Sequence, residues 1–468
     1  MGPSSARAGS SCEIYLPGVS GLASAGFARF SGEPRFVLAP PTLSSSADDD
    51  RVYAKVFWRL VPLLMLCYGV AYLDRVNLGF AKLQMAGELG FSESVYGFGA
   101  GIFFLGYFSF EVPSNLILQR VGARRWIARI MVTWGLVSGL FAFTQSVKLF
   151  YLLRFLLGVA EAGFYPGIIL YLTYWFPSAR FAKVTAIFMT AIPLSAIFGN
   201  PLSGWIMDHA HGRAGLHGWQ WMFLLEAVPS VVAGVVVWFF LDDGIRDAHW
   251  LTPEEKLRLE RNMARNESTK HGPNSTASAF RDLRLWLLCL VYFALMAGLY
   301  GLAFWMPTLI AATGIKGNFH VGWLSAIPYL VAVLAMVALG RSADARRERR
   351  WHVALPAFVG AVGLAGAALM AQNTAIAIGF LAVAAAGVLG AAPNLWSLPT
   401  AFLQSTGAAA GIAGINAIGN LAGFASPVIV GYLKDATHDN RSGMFVLAAI
   451  LAVGGLAVLR LPAKLVNR

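Results

Sequence analysis

Six charged side chains interrupt long apolar stretches of the sequence: Asp74, Arg75, Glu111, Arg154, Glu161 and Glu226. A charge at the centre of a bilayer costs about 2.5–3.5 kcal/mol on insertion scales, so each one needs a reason to be there. Arg154 and Glu161 are seven residues apart, which puts both on one face of a helix. Asp74 and Arg75 are adjacent. Desolvation makes a buried carboxyl hold its proton more tightly, and a nearby guanidinium loosens it again. A carboxyl held between those influences can take up and release a proton in each working cycle. A guanidinium in a cavity offers a planar donor fork suited to a carboxylate ligand. The four residues therefore suit proton-linked handling of an organic anion, with Glu161 as proton carrier, Arg75 as anion anchor, and Asp74 with Arg154 as a coupling pair. The simpler alternative is a structural ion pair between Asp74 and Arg154, which leaves Arg75 and Glu161 without a role.

Helices long enough to cross ~30 Å of hydrocarbon must hold these groups. In the first apolar block, Asp74 lies about 21 Å along the helix from Leu60. The fourth block runs the other way from Leu149, which places Arg154 about 8 Å and Glu161 about 18 Å from the outer surface. Asp74 and Arg154 are thus expected at one depth, with Glu161 nearer the midplane. Glu111 is expected in an interfacial or gating ion pair near Arg120. Glu226, beside Trp219 and Trp221, is expected in an interfacial setting.

Such blocks recur along the whole chain of 468 residues, 57% of them hydrophobic and 13% charged, with a mean hydropathy of +0.61. A soluble chain carries about a quarter charged residues, so a disordered protein is excluded and the composition argues against an ordinary cytosolic enzyme of this size. Spans are expected at 57–81, 95–117, 124–145, 149–174, 183–207 and 219–241, then at 285–312, 319–340, 352–371, 374–402, 408–433 and 442–461. This is an all-α membrane protein of twelve spans. Residues 1–52 read as a disordered tail or a start placed too early, 53–241 and 285–468 as six-helix bundles, and 242–284 as a central loop. With the N-terminus inside, 25 Lys and Arg fall in cytoplasmic segments and 6 in outer loops, among them Lys82, Lys148 and Lys316. That split sets both termini in the cytoplasm. It also accounts for the net charge of +12 without nucleic acid.

The halves echo one another: Gly204-Trp205-Ile206-Met207-Asp208 ends the fifth span and Gly431-Tyr432-Leu433-Lys434-Asp435 the eleventh. Duplication around a charged central loop is a transporter architecture with its site between the halves. Other chemistries find no support. Cys12, Cys67 and Cys289 are scattered, His209, His211 and His217 belong to a polar loop, and no metal or cofactor is expected. Gly97-x-Gly99-x-Gly101 lacks the continuation of a dinucleotide motif and reads as close helix packing. No exposed catalytic set is visible, and no ATP-binding motif. A non-transporting receptor is the remaining alternative class.

Three segments carry a family resemblance: Tyr72-Leu73-Asp74-Arg75-Val76-Asn77-Leu78-Gly79-Phe80-Ala81, Glu111-Val112-Pro113-Ser114-Asn115, and Arg154-x6-Glu161-Ala162-Gly163-x2-Pro166-Gly167. From about Val52 onward the chain resembles the major facilitator superfamily, and within it the anion:cation symporters that carry tartrate, phthalate, galactonate and sialic acid. The resemblance implies twelve helices in two pseudo-symmetric six-helix bundles and uptake of a small organic anion with protons into the cytoplasm. It further implies a monomer in a bacterial inner membrane, with anion exchange or efflux as the alternative. It assigns Arg75 to the substrate carboxylate, Asp74 and Glu161 to proton coupling, and Tyr72, Tyr107, Trp396 and Asn416 to substrate contact. The span-1 sequence looks closest to tartrate- and phthalate-type members, which implies a hydroxylated dicarboxylate such as tartrate, or an aromatic acid, as substrate. One departure stands out: Asn115 and Gln119 occupy positions where the superfamily's loop motif has Gly and Asp, whereas the second-half copy keeps Gly340 and Asp344.

Overall fold

The computed structural model describes residues 47–268, 280–399 and 405–467; the tail up to residue 46 and the central-loop stretch 269–279 lie outside the described residues. Among the described residues twelve helices are long and apolar enough to cross a membrane. They are α1 (Asp48–Leu89), α2 (Glu93–Val121), α3 (Ala123–Phe143), α4 (Val147–Thr173), α5 (Lys183–His209), α6 (Gly218–Phe240), α7 (Leu283–Ala311), α8 (Asn318–Arg346), α9 (Trp351–Leu369), α10 (Thr374–Leu395), α11 (Gly411–Thr437) and α12 (Arg441–Leu459). Short polar residues start several of them. Ser92, Ser146, Asp282, Asn373 and Asp439 each accept a backbone N–H from the first turn of the helix that follows, which satisfies donors that a helix leaves open at its start. Large apolar side chains such as Phe198, Phe239, Leu334 and Leu456 face outward, as a lipid-facing surface requires.

The first helix outruns its expected limits at both ends. Residues 47–52 are helix rather than tail. Asp48, Asp49 and Asp50 occupy the first turn, where carboxylates favour the helix dipole. Ion pairs tie this end to the central-loop helix Pro253–Ser268, Asp48 to Arg258 at 3.2 Å and Lys55 to Glu255 at 2.8 Å. At its other end α1 continues to Leu89 and stops at Gly90, whose φ of 65° ends the helix. Lys82 therefore does not lie in an outer loop; it is buried, 5% exposed, inside the protein.

Pseudo-symmetry is visible in which helices pack together. In the first half α3 packs on α6 and α2 on α4; in the second, α9 packs on α12 and α8 on α10. Between the halves the matching pairs are α2 with α11 and α5 with α8. The paired sequence ends seen in α5 and α11 form two equivalent clasps. Asp435, at the end of α11, accepts the N–H groups of Glu93 (3.1 Å) and Ser94 (2.8 Å) at the start of α2. Asp208, at the end of α5, accepts those of Asn318 (3.1 Å) and Phe319 (2.8 Å) at the start of α8. Each carboxylate thus caps a helix of the opposite half.

Glycines let the backbones approach there. A β-carbon at Gly431 would collide with the Glu93 carbonyl, and one at Gly204 with the Asn318 carbonyl; Gly97 and Gly322 are pressed in the same way against Pro427 and Asn200. Beside the first clasp Glu93 pairs with both Lys82 and Lys434, and Lys82 Nζ lies 3.6 Å from the Trp305 ring centroid. Gly431→Leu is expected to wedge this end apart, because the obstructing atoms are backbone. In a background with Cys12, Cys67 and Cys289 replaced by Ser, a Tyr96→Cys thiol under Trp305 should resist a polar maleimide in the parent and react at least tenfold faster with Gly431→Leu. Equal rates would contradict the glycine-mediated closure.

Candidate functional site

Tyr68, Tyr72 and Arg75 follow one another at helical spacing on α1, and Tyr292, Met296 and Tyr300 do so on α7. Residues four and seven apart share a helix face, and both stripes turn toward the same cavity between the halves. Its empty space, including the part open to solvent, amounts to about 730 Å³. Tyr107 and Tyr165 of the first half also line it, as do Trp396, Asn416 and Asn420 of the second, with Met189, Ile192 and Met336 among the apolar walls. All five residues expected to contact substrate (Arg75, Tyr72, Tyr107, Trp396 and Asn416) are thus brought together at one cavity.

Among the described residues Arg75 is the only charged one on its wall. Its guanidinium pairs with Glu161 through Nη2, while Nη1 donates to Tyr300 Oη at 3.2 Å. The rings of Phe103 and Tyr107 flank it, with centroids 5.3 and 5.5 Å from Cζ. Arg75 is 6% exposed and Glu161 1% exposed. Among the described residues Arg75 Nε has no hydrogen-bond partner. One cation thereby links α1, α4 and α7, two from the first half and one from the second.

The backbone around Glu161 is irregular. The regular helix runs Val147–Glu161, Ala162 turns to a ψ of 133°, Gly163 takes a φ of 81°, and helix resumes at Phe164. A side chain at Gly163 would be strained by that φ and would strike Ser114. Non-helical backbone at membrane depth is tolerated where it is packed in protein or lines a cavity. The Gly163 and Pro166 punctuation is the local sequence signal for this break.

The other intramembrane charges depart from expectation. Asp74 and Arg154 are not paired. Asp74 points away from the cavity and accepts Trp134 Nε1–H (2.9 Å), Ser138 Oγ–H (3.2 Å) and the Ser230 hydroxyl, from α3 and α6. Arg154 donates from Nε to the Gly99 carbonyl (3.1 Å) and from Nη2 to the Ala100 carbonyl (3.2 Å), which fastens α4 to α2. Glu226 is not interfacial; it is buried and accepts Ser203 Oγ–H (2.6 Å) and Asn77 Nδ2–H (3.0 Å). Glu111 makes a bond across the halves, accepting Asn416 Nδ2–H at 3.2 Å. Tyr300 and Asn420 were not anticipated from the sequence. The spacing of Tyr292, Met296 and Tyr300 was the available sign, masked by the apolar surroundings of α7.

Two pseudo-symmetric six-helix halves around a central cavity, with one cation among its described lining residues, have the architecture of a membrane transporter. Residues 64–427 match the Major Facilitator Superfamily, and the chain belongs to that superfamily. It is 47% identical over 418 residues, 89% of this chain and 96% of the other, to the Pseudomonas putida protein NicT, named as a proposed metabolite transporter. It is 50% identical over 410 residues, 87% of this chain and 91% of the other, to an Agrobacterium vitis protein whose name proposes tartrate transport. The fold matches the crystal structure of a bacterial homologue of the human lysosomal transporter Spinster with a TM-score of 0.71 at 14% identity, covering 87% of this chain and 96% of that one.

Arg154 tests how the charges divide between site and scaffold. Because it bonds only backbone carbonyls of α2, Arg154→Gln should lower the stability of the purified protein by about 1.5–3 kcal/mol, the range for hydrogen bonds to a charged group. Ligand affinity should change less than threefold in the fraction that folds. A large loss of affinity at unchanged stability would place Arg154 in the site instead.

Proposed function

We propose that this protein is a proton-coupled symporter that imports a small organic carboxylate across a bacterial inner membrane by alternating access. It works as a monomer with both termini in the cytoplasm, an orientation supported by the distribution of Lys and Arg. The observation that carries the reading is the buried ion pair of Arg75 and Glu161 at the cavity wall.

A substrate carboxylate needs the same donor fork that Glu161 occupies. If it displaced an ionised Glu161, a carboxylate would remain buried without a cation, which costs several kcal/mol. Protonation removes that charge. Substrate and proton therefore bind together, and Arg75 re-pairs with Glu161 when both leave. Either complete set, loaded or empty, leaves the buried charges balanced and permits the halves to rock; a partial set does not. Asp74 holds α1 to α3 and α6 through its three donors, so it fixes where the adjacent Arg75 projects and takes part in coupling through that position. Arg154, on the same helix as Glu161, holds α4 in register. Tyr72, Tyr107, Trp396 and Asn416 contact the substrate.

Glu161→Gln imitates a permanently protonated carboxyl and keeps its shape. Using a carboxylate identified by thermal shift, the variant in proteoliposomes should bind at equal or higher affinity and exchange labelled substrate. It should lose accumulation driven by a pH gradient, because the empty return step needs the re-formed pair. Gradient-driven uptake at parental levels would contradict the coupling assignment. Net export against proton entry, or anion exchange indifferent to pH in the parent, would overturn the import reading and mark an efflux carrier or exchanger.

A further inference from the structure

We propose that the cavity takes an aromatic monocarboxylate, with its carboxylate on Arg75 and Tyr300 and its ring against Tyr292 and Trp396, in preference to a hydroxylated dicarboxylate. The inference rests on the reading of Arg75 as carboxylate anchor and adds the class of molecule attached.

Charge decides the number of carboxylates. Among the described lining residues the first half supplies one cation, Arg75, and the second half supplies none. A second carboxylate reaching toward the second half would meet Met296, Leu299, Met336 and Leu389, with no cation to pair it. Burying an unpaired carboxylate costs far more than the hydrogen bonds that the two asparagines could return. One anionic end is what the cavity balances.

The rest of the wall decides the body of the ligand. Tyr292 and Trp396 meet edge to face with ring centroids 4.9 Å apart and planes at 61°, forming an aromatic corner on the half that lacks the cation. Flat π surfaces pack against such rings with offset or edge-on geometry, and methionines adapt to the remaining edges of a ring. A polyhydroxylated chain has little apolar surface to set against these walls and would strand hydroxyls on them. Besides Arg75 Nε, two buried lining groups, Tyr72 Oη and Trp396 Nε1, have no hydrogen-bond partner among the described residues. The indole N–H can only donate, so a ring bearing one acceptor gains a bond that a bare ring does not.

The test uses the purified full-length protein and measures binding of benzoate, 4-hydroxybenzoate and L-tartrate by calorimetry. Both aromatic acids should bind, 4-hydroxybenzoate the tighter, and L-tartrate at least tenfold more weakly than either. Trp396→Ala should weaken benzoate at least tenfold; Trp396→Phe, which keeps a ring, should restore most of it. If Trp396→Ala does not fold, Tyr292→Leu tests the same corner with the same expected loss. Tighter binding of L-tartrate than of benzoate, with that binding abolished in Arg75→Lys, would overturn the aromatic inference and leave the carboxylate anchor standing. Benzoate affinity unchanged in Arg75→Lys would overturn the anchor itself, and this inference with it.

Discussion

A guanidinium and a carboxylate buried against each other cannot be separated cheaply, and this protein places such a pair at the wall of its cavity. Arg75 and Glu161 come from different helices, and each is the neutralising partner of the other. Removing one partner of a buried pair is costly, about 3–5 kcal/mol, because the remaining charge stays out of water. A ligand anion can therefore take Glu161's place only together with something that cancels the Glu161 charge. On the proposed symport reading, coupling of anion to proton needs no moving relay; it follows from charge balance in a medium of low dielectric. The helix break at Ala162 and Gly163 belongs to the same arrangement, since it ends the regular turn directly after Glu161.

The two halves are alike in backbone and unlike in chemistry. The clasps built by Asp208 and Asp435 follow the internal repeat, as do the glycines that let α5 meet α8 and α2 meet α11. They rely on carboxylates capping helix starts and on close backbone approach, both of which water can replace when the halves part. Inside, the symmetry ends. The first half brings Arg75, Glu161, Asp74 and Glu226; the second brings Tyr292, Tyr300, Trp396 and a wall of Met and Leu. The proposed ligand, with an anionic end facing one half and an apolar body facing the other, matches this asymmetry.

Much of this was legible in residue order alone. Apolar blocks near 20 residues long marked the twelve spans, and the Asp208 and Asp435 echoes marked the duplication. Intramembrane charge singled out Arg75 and Glu161. The pairing was misread for a geometric reason. Depth along a helix follows from counting residues, but direction around it does not, and adjacent residues diverge by about 100°. Residue counting puts Asp74 and Arg154 at similar depth, yet Asp74 turns to Trp134 on α3 while Arg75 turns to Glu161 and the cavity. In the sequence Glu226 reads as interfacial because its neighbours Trp219 and Trp221 resemble interfacial anchors; in the fold it is buried, with the Ser203 hydroxyl and the Asn77 amide as its donors. Lys82 looked like a loop residue because its partner Glu93 and the Trp305 ring meet it only through the tertiary fold.

The central claim is that a ligand carboxylate and Glu161 compete for Arg75, with a proton settling the competition. Its most direct test is the number of protons taken up when the carboxylate binds purified protein, obtained at pH 7 by calorimetry in buffers of different ionisation enthalpy. The account predicts uptake of about one proton per bound carboxylate, falling to about zero in Glu161→Gln, because binding and protonation are linked through that group. Binding by the parent protein with no proton uptake would contradict it.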